Sequence, residues 1–514
     1  MYDARIAEQE ILTPPPAAAP RINGPKVYGA RPDKAFVYRI PTQGARPMVF
    51  EVEGLPPSLT LDAGRGILGG RSPRQRGAYR MTLHARNGQG RAWRGFVLVV
   101  GDQLALTPPT GWNHWGGHAS NISDGIIRSA ADLFVQGGLA DVGYQFIGLD
   151  DGWMRMAPAE YERIQREKDE GYLRKHRGLD FARTVGAPRD AGGNILPNGL
   201  FPDMKGLADY IHGFGLRAGI YSSPGPMTCQ SLEGSAGHEE QDARQFAAWG
   251  YDLLKYDECS AGKLIAQARR ERPDFELATF WRPMVASIEQ TDRDLVFNLC
   301  QYGAGDPWRW APGIGVQTWR TGGDLNHHLE RYFDQALRIA TTLRAFNGPG
   351  HWNDPDFLYV GRQVQTRGNH FVAAADSGLD SNQEYQYVSL WAMVCAPMFF
   401  STDVNHVSDF TLGLLSNPEV MAINQDELGH TAEVLENESK RVVMLKRLAD
   451  GFKALGVFNR DAEAEVVVEI DGAALTGKRR WAVRDVWRQR DLGLCENGLA
   501  VRLSPNGVGL FRLG

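Results

Sequence analysis

The sequence lacks the features that would mark a membrane protein, a nucleic-acid-binding protein or a disulfide-rich scaffold. No apolar run reaches the ~20 residues of a transmembrane helix, so we predict no membrane span. The 56 lysines and arginines are outnumbered by 61 aspartates and glutamates, which argues against a basic surface for nucleic acid. Five cysteines are too few for a disulfide scaffold, although they allow one bridge. What remains is a globular chain with ample material for a large core.

Two local patterns are also missing. No signal peptide with charged, apolar and small-residue parts precedes the proline- and alanine-rich stretch at 14–20. A leader could have been removed before the initial methionine, and we expect a periplasmic or secreted location. No glycine-rich phosphate loop opens a helix, because the one candidate, Gly303-Ala304-Gly305, leads into Asp-Pro-Trp. Nothing in the sequence indicates an oligomeric state.

The 514 residues exceed one ordinary domain and divide by pattern into four parts. Residues 1–26 are a predicted linker or tail. Alternating or apolar runs separated by Gly, Pro, Asn and Asp predict an immunoglobulin-like β-sandwich over 27–104. Strand and helix patterns alternate over 105–428. Strand patterns return over 429–514, where we predict a C-terminal antiparallel β-sandwich.

The central part predicts an α/β fold. Apolar strands end at Leu149, Ile220 and Leu299, and the helical patterns between them end at glycines such as Gly215 and Gly250. Repeated strand–helix units form a parallel sheet. About eight units fit between 107 and 425, which favours a (β/α)8 TIM barrel over an open doubly wound sheet.

Polar and aromatic residues follow the predicted barrel strands at their carboxyl ends, where barrels of this kind build active sites. We therefore predict a single site at that face. The tryptophans are explained equally well as core residues. The candidate site residues are Trp112, Trp115, Asp150, Asp151, Tyr221, Lys255, Asp257, Gln301, Arg320, Asp324, Asp354 and Asp356.

Asp257 is the predicted nucleophile of this site. It follows an apolar run, and Lys255 points to the same side of an extended strand, where it would keep the carboxylate ionised. Two carboxylates that face each other across a sugar are the minimum for glycoside hydrolysis, and Asp324 would be the second. The simpler alternative is an Asp257–Lys255 ion pair at a strand end without a catalytic role.

The acidic pairs allow a second interpretation. Asp150 and Asp151 are suited to accept hydrogen bonds from sugar hydroxyls, but such pairs also bind divalent metals. No nucleotide-binding pattern accompanies them, so we do not predict a metal. His327 and His328 are adjacent and cannot share one face of a helix, which argues against a metal site there as well.

The cysteines leave another alternative open. Cys229 and Cys259 each follow a strand end in neighbouring units. They could form a disulfide or remain two free thiols, and their spacing does not decide between these.

Six motifs together resemble glycoside hydrolase family 27 of clan D, the α-galactosidases and α-N-acetylgalactosaminidases. They occur in the family's order, at 107–115, 147–153, 219–221, 255–257, 319–324 and 348–356. The resemblance implies a (β/α)8 barrel followed by an antiparallel β domain. It also implies retaining hydrolysis of terminal α-linked galactose-type sugars without a metal or another cofactor. Residues 54–70 resemble the immunoglobulin-like domains of bacterial glycosidases, which we interpret as a spacer.

The resemblance also assigns roles. It implies that Asp257 is the nucleophile, that Asp324 is the acid/base, and that Cys229 and Cys259 are a bridged pair beside the nucleophile. Asp150 and Asp151 resemble the pair that holds the galactose O4 and O6 hydroxyls, and Gln301 lies in the segment that recognises the substituent at C2. Further residues resemble sugar-binding positions: Trp115, Tyr221, Lys255, Arg320 and Asp356.

The sequence departs from the family pattern at several points. Gly152 replaces a common cysteine, and Phe357 replaces a frequent methionine. Cys300-Gln301-Tyr302 stands where many eukaryotic members have Cys-Glu-Trp, which leaves the C2 preference open. The charged segment 155–197 is longer than usual, and loops on this face shape the aglycone subsites.

We predict a retaining exo-α-galactosidase that acts on α-galactoside oligosaccharides or polysaccharides. The alternatives are a β-L-arabinopyranosidase, an α-N-acetylgalactosaminidase and a galactoside-binding protein that has lost catalysis. The presence of both Asp150 and Asp151 favours galactose, since arabinopyranose lacks C6. The full set of carboxylates argues against a binding protein.

Overall fold

The computed structural model describes residues 1–167, 179–272, 274–367, 370–496 and 498–514. Part of the predicted insertion 155–197, namely 168–178, lies outside these residues. The described chain forms a central barrel between two β regions, each mainly antiparallel with one parallel strand pair. None of its described helices combines the length and the apolar character needed to cross a membrane.

Eight strands form the parallel barrel sheet: the first seven pair with one another in chain order, and the eighth pairs with the first. An isolated parallel bridge connects Leu358, four residues after the seventh strand, to Phe400 of the eighth, and Gly111 pairs with Phe399 to join the last strand to the first. The (β/α)8 prediction is therefore confirmed. The strands are β1 Thr110–Asn113, β2 Phe146–Gly148, β3 Arg217–Ser222, β4 Leu253–Asp257, β5 Val296–Cys300, β6 Thr318–Arg320, β7 Trp352–Asp354 and β8 Met398–Phe400.

Helices surround the barrel and end where the sequence predicts. The helix before β4 ends at Trp249 because Gly250 adopts the left-handed conformation, with φ at +100°. The α-helices are Trp115–His118, Asp124–Gln136, Leu139–Val142, Pro158–Glu167, Phe181–Thr184, Met204–Gly213, Glu239–Trp249, Ala261–Glu271, Arg282–Glu289, Pro307–Trp310, Tyr332–Thr341, Ser381–Met393, Asp409–Leu415 and Pro418–Asn424. Short 3-10 helices are Leu277–Phe280, Pro312–Ile314, Leu325–His327, Leu329–Arg331 and Arg344–Phe346.

The N-terminal module, defined here as 27–100, contains a four-stranded and a three-stranded sheet. Tyr38, Phe50, Leu68 and Phe96 belong to one buried apolar cluster within it. The immunoglobulin-like assignment stays a prediction. The first sheet has the order Val27–Ala30, Gly90–Val100, Gly77–Asn87 and Val49–Glu53, and the second has the order Ala35–Arg39, Ile67–Arg71 and Leu59–Asp62.

The N-terminal module contacts the barrel at the amino ends of its strands. The Arg31 backbone N–H donates to the Asp294 carboxylate at 2.9 Å, just before β5. Arg39 pairs with Asp141 at 3.1 Å, just before β2. These contacts lie at the end of the barrel opposite to the predicted site, so the module supports the barrel from below without lining that site.

The C-terminal domain is antiparallel, as predicted, apart from one parallel pairing. Residues Tyr2–Asp3 form a strand parallel to Leu499–Leu503, so the start of the chain completes this domain. One sheet has the order Glu433–Asn437, Arg441–Arg447, Lys453–Asn459, Val508–Leu513, Trp481–Asp485 and Arg490–Cys495, and the other has the order Tyr2–Asp3, Leu499–Leu503 and Val466–Ile470. The remaining elements are the pairs Arg21–Ile22 with Thr42–Gln43 and Arg362–Arg367 with His370–Asp376, and the helix Gly472–Thr476.

Asp252 is the buried acid that connects several elements at the lower end of the barrel. Its carboxylate lies 2.8 Å from His212 Nε2 and 2.6 Å from Arg293 Nη1, and it accepts a hydrogen bond from the Ala218 N–H at 2.9 Å. Burial alone would raise the pKa of Asp252, but His212 and Arg293 outweigh it and hold that pKa well below its usual range.

Asp252→Asn should lower the free energy of unfolding at pH 7 by about 3 kcal/mol, because Arg293 and His212, both largely shielded from solvent, lose their carboxylate partner. Since the folded pKa lies below the ~3.9 of the unfolded chain, this contribution is fully present above ~3.9 and is lost as the pH falls from there through the folded pKa. Thermal melts from pH 7 downward measure this contribution. The melting temperatures of the variant and the wild type should converge only below ~3.9.

Asp292→Asn is the matched control. Asp292 pairs with Arg71 at 2.6 Å in the same region but is 78% exposed. Its removal should change the unfolding free energy by less than about 1 kcal/mol. Equal losses in the two variants, or an Asp252→Asn gap that does not depend on pH, would contradict the assignment.

Candidate active site

The carboxyl ends of the barrel strands bring the predicted site residues together. Parallel pairing places Tyr221 beside Lys255, Asp257 beside Cys300 and Arg320 beside Asp354. The backbone register of three neighbouring strand pairs therefore builds the floor of one cleft.

Asp257 ends β4 and is buried, with only 5% of its surface exposed. Both carboxylate oxygens accept phenolic hydrogen bonds, from Tyr302 at 2.9 Å and from Tyr221 at 3.1 Å. Burial raises the pKa of Asp257, Lys255 lowers it and Asp324 raises it. The carboxylate is held in a fixed orientation, and a second acid is close enough to influence its charge.

Arg320 organises the second group of acids. Its guanidinium donates to Asp324 at 2.9 Å and lies 3.1 Å from Asp356. Burial raises the pKa of Asp356, and the Arg320 charge opposes that rise. Asp356 also accepts a hydrogen bond from the Leu325 N–H at 2.7 Å, which fixes the start of the segment that follows Asp324. Asp324 itself is only half-buried and faces the opening.

The backbone at Asp356 is strained. Its φ is +105°, a value that residues with a side chain rarely adopt, and its N–H donates to Asp354 at 2.9 Å. This turn directs the carboxylate back toward Arg320. Asp354 and Asp356 are the acidic pair that could have bound a metal. Asp356 instead pairs with Arg320, and Asp354 accepts the Asp356 N–H.

Asp150 and Lys255 form the other ion pair of the site, at 2.7 Å. Burial alone would raise the pKa of Asp150, but Lys255 lowers it below the usual value. The Lys255 ammonium also lies 5.3 Å from the Tyr221 ring centre and 5.1 Å from that of Phe357, so two aromatic faces flank it. The side chain is therefore fixed beside the nucleophile.

Asp151 is buried next to this pair. One carboxylate oxygen accepts the Gln230 N–H at 2.8 Å, whereas the other is buried without a hydrogen-bond partner in the described part of the chain. Burial raises the pKa of Asp151 to about 7. A buried acceptor of this kind is costly unless a ligand hydroxyl satisfies it.

The disulfide lies against the nucleophile. Cys229 and Cys259 are bonded to each other, with Cα atoms 4.8 Å apart, which confirms the predicted pair. Tyr221 Oη is 3.0 Å from Cys259 Sγ. The bridge thus connects the loop after β3 to the end of β4, next to Asp257. Since both sulfurs are bonded to each other, the cluster of Cys229, Asp257 and Cys259 is not a site for a metal.

Two predicted residues, both within the described segments, are not hydrogen-bonded to the catalytic acids. Trp115 is half-buried, and its ring centre is 6.3 Å from that of His114. Gln301 is fully buried, and its amide N–H donates to the Ala304 carbonyl within its own loop. Neither has a contact with Asp257 or Asp324 among the described residues.

The sequence did not identify several residues that contact the catalytic groups. Asn113 donates to Asp150 at 2.7 Å, and the His114 Nδ1 accepts the Asp150 N–H at 3.0 Å. Both lie within the motif at 107–115, so that motif was the available signal. No periodicity or spacing in the sequence predicted that Tyr302 contacts Asp257, because Tyr302 lies in the loop after β5 and the loop conformation sets its position.

The chain is similar to α-galactosidases over most of its length. The family model described as alpha galactosidase A matches residues 182–426, and the model described as alpha galactosidase C-terminal beta sandwich domain matches residues 438–513. The α-galactosidase of Oryza sativa is 32% identical over 436 residues, which are 84% of this chain and 90% of that protein. The α-galactosidase of Cyamopsis tetragonoloba is 31% identical over 414 residues, covering 80% and 87%.

A solved structure from Bacteroides fragilis, provisionally assigned there as an α-galactosidase/melibiase, extends the likeness to the N-terminal module. It is 32% identical, has a TM-score of 0.84 and covers 98% of this chain and 100% of its own. The module is therefore part of the shared structure.

The cysteine chemistry can be counted directly. Denatured, unreduced protein should react with three equivalents of a thiol reagent, because Cys300, Cys395 and Cys495 are free, and reduction should raise the count to five. Mass spectrometry of an unreduced digest should contain the peptide that joins Cys229 to Cys259. Five equivalents before reduction, in protein purified without reductant, would contradict the bridge.

Proposed function

This chain belongs to glycoside hydrolase family 27, the α-galactosidase family, and we propose that it is a retaining exo-α-galactosidase. One observation carries the proposal. Asp257 is buried at the end of β4 with both oxygens hydrogen-bonded, and Asp324 lies close enough to raise its pKa. A fixed carboxylate and a half-exposed carboxyl group on the same cleft are what a two-step displacement requires.

In the first step Asp257 attacks the anomeric carbon of a terminal galactose. The bond from that carbon to the aglycone oxygen breaks, and Asp324 donates a proton to the leaving oxygen. Burial raises the pKa of Asp257, and Lys255 supports the role of nucleophile because its charge opposes that rise. Arg320 keeps Asp324 in position at 2.9 Å.

In the second step water attacks the anomeric carbon of the galactosyl-enzyme. Asp324 accepts the water proton, the bond from carbon to Asp257 breaks, and its electron pair returns to the carboxylate. Two inversions give net retention. The half-exposed position of Asp324 supports both roles, since it must meet the aglycone first and water afterwards.

The lysine side of the cleft supports galactose as the bound sugar. Asp150 accepts hydrogen bonds from Asn113 and Lys255 at one oxygen and from the Asp151 N–H at the other, whereas Asp151 has one buried oxygen without a partner among the described residues. Galactose offers an axial O4 and a free O6 to such acceptors. We therefore assign α-galactoside oligosaccharides or polysaccharides as substrates.

We also propose that the protein is periplasmic or secreted. The disulfide between Cys229 and Cys259 supports this, because such bonds persist in oxidising compartments and are reduced in most cytosols. Cell fractionation of the native host, followed by immunoblotting, tests the location.

The two acids can be distinguished by variants. Asp257→Ala should lower turnover of every aryl α-galactoside by at least about 1,000-fold, because no covalent intermediate forms. Asp324→Ala should spare activated aryl leaving groups much more than poor ones, because only poor leaving groups need the proton. Steady-state rates over a series of leaving groups measure this difference.

Azide provides the stereochemical control. With Asp257→Ala it should attack in place of the nucleophile and give the β-galactosyl azide, whereas with Asp324→Ala it should attack the intermediate and give the α-galactosyl azide. Nuclear magnetic resonance identifies the anomer. The same anomer from both variants would overturn the assigned roles.

Substrate choice is tested with three aryl glycosides. The α-galactoside should have a higher kcat/KM than the β-L-arabinopyranoside, because the arabinoside lacks the C6 hydroxyl. Asp151→Asn should reduce that advantage if the buried oxygen serves the sugar. A preference for the arabinoside, or for the α-N-acetylgalactosaminide, would overturn the substrate assignment.

A further inference from the structure

Tyr302 contacts the nucleophile, although the sequence gave it no role beyond its place in the segment Cys300-Gln301-Tyr302. Its hydroxyl donates to Asp257 at 2.9 Å, and its side chain is buried. It follows β5, whereas Tyr221, which donates to the other carboxylate oxygen, is the penultimate residue of β3. The nucleophile is thus held between two phenols from opposite neighbouring strands.

The loop that carries Tyr302 is built to aim it. Tyr302 has a φ of +59°, a left-handed conformation that is costly for a tyrosine. The Ala304 N–H donates to the Gln301 carbonyl at 3.0 Å, which closes a turn around it. Gly303 also has a positive φ, and a Cβ there would lie 2.4 Å from the Thr321 carbonyl oxygen. Only glycine allows this close contact with the loop after β6.

The Tyr302 side chain has neighbours on both sides. The Arg320 guanidinium carbon lies 5.9 Å from the ring centre, and Arg320 also binds Asp324. The hydroxyl lies 3.9 Å from Cys229 Sγ of the disulfide. Tyr302 therefore connects the two catalytic acids physically, from the arginine that holds Asp324 to the carboxylate of Asp257.

The strength of the Tyr302 hydrogen bond depends on the charge of its acceptor. Hydrogen bonds to a carboxylate are about twice as strong as those between neutral groups. The carboxylate loses its charge when it attacks the anomeric carbon, and regains it when the galactosyl-enzyme breaks down. A phenol in this position opposes the first step and favours the second.

We propose that Tyr302 is a catalytic residue that stabilises Asp257 as the leaving group when the galactosyl-enzyme is hydrolysed. This inference rests on the proposed retaining mechanism. In that step water attacks the anomeric carbon, Asp324 takes the water proton, and the electron pair of the broken bond returns to Asp257, where the Tyr302 hydroxyl donates to the charge that forms. No oxidant or further reactant is involved.

Tyr302→Phe tests the proposal with an aryl α-galactoside that has an activated leaving group such as dinitrophenol. The value of kcat should fall by about 10- to 100-fold, more than kcat/KM, because galactosyl-enzyme breakdown slows more than its formation. Rapid mixing should show a burst of about one phenol per active site. Quenched intact-protein mass spectrometry should find the enzyme carrying one galactosyl group.

The pH profile gives a second readout. Tyr302 lowers the pKa of the buried Asp257, so its removal should raise that pKa. Asp257 must be ionised to attack, and the acid limb of kcat/KM should therefore move to higher pH by about one unit in the variant. Equal losses in kcat and kcat/KM, with no burst and an unmoved acid limb, would reduce Tyr302 to a structural role.

The control variant is Tyr144→Phe. Tyr144 is also fully buried, but it precedes β2 at the far end of the barrel, and its hydroxyl has no hydrogen-bond partner among the described residues. It should retain wild-type kinetics and a wild-type acid limb. Melting temperatures verify that both variants fold, and the burst amplitude counts functional sites independently of the rate.

A replacement that keeps the phenol and makes it a stronger donor should move the acid limb of kcat/KM in the opposite direction. Fluorotyrosine at 302, introduced by codon reassignment, is a more acidic phenol and a stronger donor, so it should shift the acid limb to lower pH. A shift to higher pH would overturn the inference. If wild-type protein turned over no α-galactoside, the proposed function would fail. If wild type were active and Tyr302→Phe matched it in all three readouts, only the role of Tyr302 would fail.

Discussion

The site depends on the compensation of buried carboxylates by two buried cations. Lys255 neutralises Asp150, and Arg320 neutralises Asp324 and Asp356, while Asp257 lies between the two groups. Breaking such a pair leaves an uncompensated buried charge that costs several kcal/mol. The two cations therefore hold the acids at fixed positions and also set their charge. For Asp257 the two effects are separate: burial raises its pKa and Lys255 opposes that rise, whereas hydrogen bonds from Tyr221 and Tyr302 fix its orientation.

The two ends of the barrel use charge differently. At the lower end Asp252 connects His212, Arg293 and β3 and is fully satisfied by the protein. At the upper end Asp151 keeps one buried oxygen without a partner in the described residues. Satisfied networks contribute to stability, whereas an unsatisfied acceptor gains its partner only when a ligand binds. The N-terminal module contacts the lower end, where the charged network is satisfied by the protein, which is consistent with a supporting role.

Much of the fold and the site could be predicted, because the relevant signals are local. Apolar runs followed by Asp150, Lys255 and Asp257 identify strands and their polar ends, and parallel strands place those ends on one face. The disulfide was assigned through the family motif, since sequence spacing left two free thiols as an open alternative. Gln301 stays a predicted sugar-binding residue: its amide N–H donates to the Ala304 carbonyl of its own loop, and its Oε1 has no hydrogen-bond partner among the described residues.

The sequence by itself determined the barrel and the set of acids at its mouth, because hydrophobic periodicity and glycine stops are properties of short segments. Only the tertiary structure decided what each acid contacts. Tyr302 reaches Asp257 across 45 residues of sequence through a left-handed turn, and Gly303 allows that turn to approach Thr321. Such contacts arise from backbone conformation and strand register, which no local pattern encodes. The partners of the nucleophile were therefore visible only in the folded chain.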